Sequence, residues 1–152
     1  NLTLSSLGLF TRLFHLSLKA EAAKAMEFVR RLTIKIASPE NPVSSLSGGN
    51  QQKVVIGKAL MTNPKVLLMD EPSRGIDIGA KAEVFRKMRD LAAEGLGILF
   101  VTSDLDEVLA LSDRILVMAN GRISGEFPGG TDAATLISAA APNARPSKDI
   151  AA

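Results

Sequence analysis

"VLLMDEP" runs from Val66 to Pro72. Its four leading apolar residues have the length of a strand, and their lack of alternation predicts burial on both faces, as in a parallel sheet. The strand ends in Asp70 and Glu71, so two carboxylates sit at the carboxyl edge of that sheet, where ligands of such folds bind. In a phosphoryl-transfer site the first acid can hold Mg²⁺ and the second can polarise an attacking water. Taken alone, the pattern fits an ordinary strand that turns at Pro72 equally well.

The chain immediately upstream shifts that balance. "LSGGNQQ" occupies Leu46 to Gln52 and puts two glycines at the start of a helix that Asn63 and Pro64 stop. Glycine costs about 1 kcal/mol relative to alanine inside a helix, so a pair is expected just outside one or where something must approach the backbone closely. A serine and two glycines at a helix start expose backbone N–H groups, with the hydroxyl and the helix dipole aimed at the same anion. That is a phosphate cradle. For Ser47, Gly48 and Gly49 alone, a serine-capped helix with a flexible entry remains the simpler reading.

The remaining segments fall into an α/β pattern. Lys19 to Leu32 carries Ala22, Met26, Val29 and Leu32 at helical spacing, with a Glu27 to Arg31 pair, before Pro39 and Pro42 break it. The helix after the glycines is expected to bury Val55, Ala59 and Leu60, with Gly57 and Lys58 in its interior. Asp77 is a plausible N-cap for a helix whose stripe is Ile76, Ala80, Val84, Met88 and Leu91, ending at Gly95. Ile98 to Val101 is the next buried strand. Asp104 with Glu107 resembles a capping box for a short helix to Leu111, and Ile115 to Met118 is a third strand. Asn120-Gly121 turns the chain into Ile123 to Phe127, a hairpin at the sheet's edge. Met61, Met69, Met88 and Met118 are assigned to the core, and His15 to a packed or surface position rather than a ligand. Pro142 to Ala152 reads as a frayed tail.

Composition sets the outer limits. The 152 residues are 46% hydrophobic and 22% charged, which fits a globular domain and not a disordered chain. A net charge of +2, scattered along the chain, supplies no basic stripe for nucleic acid. The absence of cysteine excludes a disulfide framework and thiolate metal sites and suits a reducing cytosol. The uncharged stretch Asn1 to Thr11 lacks a basic leader and is closed by Arg12, so it reads as neither a signal peptide nor a spanning helix. A start at Asn1 inside an amphipathic segment reads as a fragment.

The order Leu46-Ser47-Gly48-Gly49-Asn50-Gln51-Gln52, helix, apolar strand, Asp70-Glu71-Pro72 and Gly75-Ile76-Asp77 resembles the ATP-binding-cassette ATPases over nearly the whole chain. "LSGGNQQKV", "DEPSRGIDIGAK" and "SDRILVMANGRISGEF" look most like the second cassette of the duplicated ATPases that energise bacterial sugar importers. The resemblance implies a partial P-loop NTPase fold: a helical subdomain over residues 1–45, a signature helix and Walker B half over 46–141 with a mostly parallel sheet and flanking helices, and a tail over 142–152. It implies that Ser47, Gly48, Gly49, Asn50 and Gln51 clamp the γ-phosphate of an ATP on the opposing cassette. Asp70 then serves Mg²⁺, Glu71 is the general base, and Asp77 lies in the D-loop that communicates across the interface. The implied partners are a second cassette, transmembrane permease subunits and, indirectly, a periplasmic sugar-binding protein, at the cytoplasmic face of the inner membrane. No nucleic acid is expected.

Two departures qualify the resemblance. A GxxxxGK[ST] loop is absent, since near Gly57-Lys58 a glutamine, Gln52, stands where the first glycine belongs and Ala59 where the hydroxyl belongs. In the family that loop precedes the helical subdomain, so the isolated chain is expected to be inactive. The second departure is Ser103, which occupies the position of the family's switch histidine and cannot contact a γ-phosphate as histidine does. The other readings are a cassette ATPase working on DNA or ribosomes, whose usual coiled-coil or basic insertions are lacking here, and a noncatalytic remnant serving as an interaction module.

Overall fold

The computed structural model describes residues 1–12 and 15–141. The tail expected over 142–152 and the side chain of His15 lie outside the described residues. The chain divides into two compact units, Asn1–Val101 and a second that starts at Thr102.

The first unit opens with a 3₁₀ turn, Leu4–Phe10, and a short antiparallel pair, β1 (Thr11–Arg12) with β2 (His15–Leu16). Helix α1 (Leu18–Arg31) begins where the Ser17 hydroxyl accepts a hydrogen bond from the Ala20 N–H. Phe28, Val29 and Leu32 are buried, whereas Ala22, at the far end of the expected stripe, is exposed. The Glu27 to Arg31 pair does not form. Glu27 instead holds Lys24 at 2.8 Å, and Arg31, at the C-terminal end of α1, pairs with Glu94 from a distant segment. Thr33 then turns the chain with φ +53°, a left-handed conformation unusual for a β-branched residue.

Helix α2 (Gly48–Leu60) contains both glycines in its first turn. Its buried face is Gly49, Lys53, Val54, Ile56, Gly57 and Leu60, so the expected Val55 points outward. Positions 49, 53, 56, 57 and 60 share one stripe at helical spacing, and Val55 falls outside it. Gly57 is a point of close approach, because a Cβ there would lie 2.6 Å from Leu2 Cδ2 and 2.9 Å from Leu32 Cδ1.

Strand β3 (Val66–Asp70) pairs in parallel with β4 (Gly97–Val101), in the register Val66 with Gly97 through Asp70 with Val101. Between them runs α3 (Ile78–Ala93), capped by Asp77, whose Oδ1 accepts from the Ala80 N–H at 2.9 Å. Val84, Met88 and Leu91 form the buried stripe, and Gly95 (φ +94°) ends the helix, as the spacing predicts. The parallel pair is not covered on both sides. Leu67 is 5% exposed but Leu68 is 71% exposed, and Val66, Leu99 and Val101 share that open face. An unbroken apolar run identifies two apolar faces, but this unit packs side chains against only one of them.

In the second unit, α4 (Leu105–Leu111) is capped by Asp104, which accepts from the Asp106 N–H. The hairpin of β5 (Arg114–Ala119) and β6 (Arg122–Pro128) is antiparallel, and turns at Asn120 (φ +51°) and Gly121 (φ +74°). Two positive φ angles give the type I′ geometry that Asn-Gly favours. The hairpin is its own two-stranded sheet, so among the described residues parallel pairing is confined to β3 and β4. Ile115, Val117 and Leu136 form a core with Leu105, Val108, Phe127 and Ala139 around it. Leu136 belongs to α5 (Ala133–Ala140), a helix capped by Asp132 that adds to the elements expected from the sequence. Met61 and Met88 are buried and Met69 is half-buried, whereas Met118 lies on the outer face of β5 and is exposed.

The architecture is α/β. Among the described residues no helix is long and apolar enough to cross a membrane.

Candidate functional site

Ser47 occupies the N-cap of α2 with extended backbone (φ −61°, ψ 154°), and its carbonyl accepts the first helical bond from the Gln51 N–H at 2.9 Å. A serine here normally turns its hydroxyl onto the N–H of the second or third helical residue. This one makes no such bond. The hydroxyl is instead an acceptor from Asn50 Nδ2 at 2.9 Å, while Asn50 Oδ1 accepts from the Lys35 backbone N–H at 2.9 Å. Gln51 donates through Nε2 to the Leu46 carbonyl at 2.7 Å. The side chains of Asn50 and Gln51 thus brace the loop, and Ser47 and Gly48 are exposed at its tip.

The glycines have a packing role as well. A Cβ on Gly48 would meet the Gly75 carbonyl oxygen at 3.1 Å and Ile76 Cγ2 at 3.2 Å, and one on Gly49 would lie 2.5 Å from Ala80 Cβ. The start of α2 therefore rests on the segment 75–80 that leads into α3, so the structure brings Ser47 to Gln51 together with the Asp77 loop. The Asp77 carboxylate caps α3.

Asp70 is exposed at the end of β3. Glu71 follows with φ +45°, donating its backbone N–H to the Val101 carbonyl at 2.8 Å and accepting at its carbonyl from the Arg74 N–H at 3.1 Å. It thereby extends the β3–β4 ladder by one bond and at once leaves the strand. Buried Pro72 anchors the turn. Among the described residues no three acids or histidines gather as a metal cage. One carboxylate is nevertheless a normal protein share for Mg²⁺, which keeps waters and takes substrate phosphates as its other ligands. Asp70 fits that pattern. Ser103 belongs to the second unit.

Lys53 carries a role that sequence reading missed. It is 3% exposed, and its ammonium donates to the Thr33 carbonyl at 3.2 Å and pairs with Glu83 of α3. The Lys53 hydrogen bond and charge hold the Glu83 carboxyl below its ordinary range. A lysine four residues after Gly49, on the stripe shared with Ile56 and Leu60, was the available signal.

Residues 3–74 match the protein family described as ABC transporter. The chain is 58% identical over 109 residues to the ribose import ATP-binding protein RbsA 2 of Rhizobium etli, covering 72% of this chain and 22% of that protein. It is 54% identical over 129 residues to the xylose import ATP-binding protein XylG of Moorella thermoacetica, covering 84% and 25%. A crystal structure of a nucleotide-free ATP-binding cassette from an ABC transporter superposes with a TM-score of 0.72 and 31% identity, covering 86% of this chain and 51% of that one. The chain spans about a quarter of the length of these curated relatives.

Proposed function

Because this chain belongs to the ABC transporter family of ATP-binding cassettes, we propose that it forms part of the ATP-hydrolysing subunit of a bacterial sugar importer and completes a nucleotide site on a second cassette. The observation that carries this reading is the start of α2, where the Ser47 hydroxyl is withheld from capping a helix that opens with Gly48, Gly49 and Asn50. Several donors and the positive end of a 13-residue helix then face one anion.

In this proposal Ser47 and the backbone of Gly48, Gly49 and Asn50 grip a γ-phosphate in trans, while Gln51 frames the loop. ATP and Mg²⁺ are the bound species, and Asp70 would hold the metal, which neutralises charge on the phosphoryl group when present. Glu71 accepts a proton from the attacking water, a role whose removal costs about 10² to 10⁴ in rate at a competent site. Asp77 sits where the signature helix meets α3 and relays the state of one site to the other. Serine at position 103 leaves the chain's own nucleotide site impaired, so the intact signature serves the partner's site.

The partners are a second cassette and permease subunits at the cytoplasmic membrane face, with a periplasmic sugar-binding protein acting through the permease. Uptake of ribose and of xylose, the sugars named for the relatives above, into vesicles carrying the assembled transporter tests the reading. Ser47→Arg is expected to abolish uptake and Glu71→Gln to reduce it less. Equal loss from both substitutions counts against the division of labour.

A further inference from the structure

The bonds around Asn50 fix the direction of a proton. A backbone N–H can only donate, so the Asn50 atom 2.9 Å from the Lys35 nitrogen is the carbonyl oxygen Oδ1. The other end of the amide is therefore the NH₂ group, and it lies 2.9 Å from Ser47 Oγ. Ser47 accepts that bond, so its own hydroxyl proton is directed away from the Asn50 amide, and Ser47 is exposed. We propose that Asn50 is a positioning residue: its side chain does not touch nucleotide but orients Ser47 as a hydrogen-bond donor toward a phosphoryl oxygen. This rests on the reading of Ser47 as a phosphate contact and assigns Asn50 a different part in it.

Aspartate at position 50 would have nearly the same shape and would still accept from the Lys35 N–H. Its second oxygen, however, can only accept, so it would draw the Ser47 proton inward and turn the hydroxyl's lone pairs toward the phosphate. The experiment is a double-mutant cycle in the assembled ATPase that holds this chain, with Ser47→Ala, Asn50→Asp and the pair. Mg-ATP affinity is measured by titration, and KM and kcat separately. Hydrogen exchange at the Lys35 amide is followed without nucleotide.

Ser47→Ala and Asn50→Asp are each expected to weaken affinity about tenfold, the scale of one hydrogen bond to a charged group. The pair is expected to be no more than about twofold weaker than Ser47→Ala alone, because Asn50 acts through a hydroxyl already removed. The Lys35 amide should stay protected in Asn50→Asp and exchange faster in Asn50→Leu. Losses that multiply in the pair would overturn the inference while sparing Ser47, since direct contact or charge repulsion persists without the hydroxyl. An unchanged Lys35 amide in Asn50→Leu also overturns it. If Ser47→Ala alone has no effect, the phosphate reading of Ser47 fails, and the inference with it.

Discussion

At Gly49, packing and proposed chemistry demand the same residue, and substitutions separate them. Gly49→Ala drives a Cβ to 2.5 Å from Ala80 Cβ, an overpacking expected to cost about 1–3 kcal/mol by urea denaturation, with no nucleotide present. Adding Ala80→Gly should return part of that loss. No recovery would mean that the contact is not what Gly49 serves. Thr33, β-branched at φ +53°, gives the opposite sign: Thr33→Gly is expected to stabilise by about 1 kcal/mol, read from the same denaturation curves. At the Lys53–Glu83 pair the loss should be asymmetric. Glu83→Gln strands a buried ammonium and costs about 1–3 kcal/mol, whereas Lys53→Met leaves a half-exposed carboxylate in water and costs less. Since Glu83 titrates below its ordinary value of 4.5, the pair's contribution is present above that pH and fades as pH falls through the folded value. Wild type and Glu83→Gln should therefore converge in stability in acid.

Among the elements, the N-cap of α3 and the open face of β3 and β4 make distinct demands. Asp77→Ala should cost about 1 kcal/mol through the lost cap, whereas Asp77→Asn keeps an acceptor for the Ala80 N–H and should be close to neutral in thermal unfolding. A transport defect in Asp77→Asn would then report on relay rather than on helix stability. Most elements were legible because their ends carry distinct chemistry: Asp77 and Gly95 bracket α3, and Asn120-Gly121 marks a turn that needs two positive φ angles. The outward position of Val55 was not legible, since Val54, Val55 and Ile56 are consecutive apolar residues and the approach of α1 and α3 chooses which of them are buried. Helix α5 was missed because small residues around Leu136 and Ile137 give a weak periodic signal.

For the molecule as a whole, the site divided into readable and unreadable parts along chemical lines. The residue types and spacing of Ser47 to Gln51, Asp70, Glu71 and Asp77, from which the phosphate site is proposed, stand in the sequence itself. The bracing bonds from Lys35 to Asn50 and from Lys53 to Thr33 and Glu83 were not, because they join segments 15 to 30 residues apart. No stretch of the 152 residues matches GxxxxGK[ST], so the chain expressed by itself is expected to show no Mg-ATP binding by calorimetry at millimolar nucleotide. Micromolar binding would refute this. The exposed side chains of Val66, Leu68, Leu99 and Val101 add a physical consequence for that polypeptide. Leu68→Thr with Leu99→Thr should leave unfolding free energy within about 0.5 kcal/mol while lowering aggregation, measured by light scattering.

Glu71 follows β3 with its backbone in the left-handed region at φ +45°. Glycine would relax that bend, and an unbiased screen for heat resistance would be drawn to this position. The variant it selected would have traded away the carboxylate, so a hardier protein recovered from such a library should be checked first for turnover.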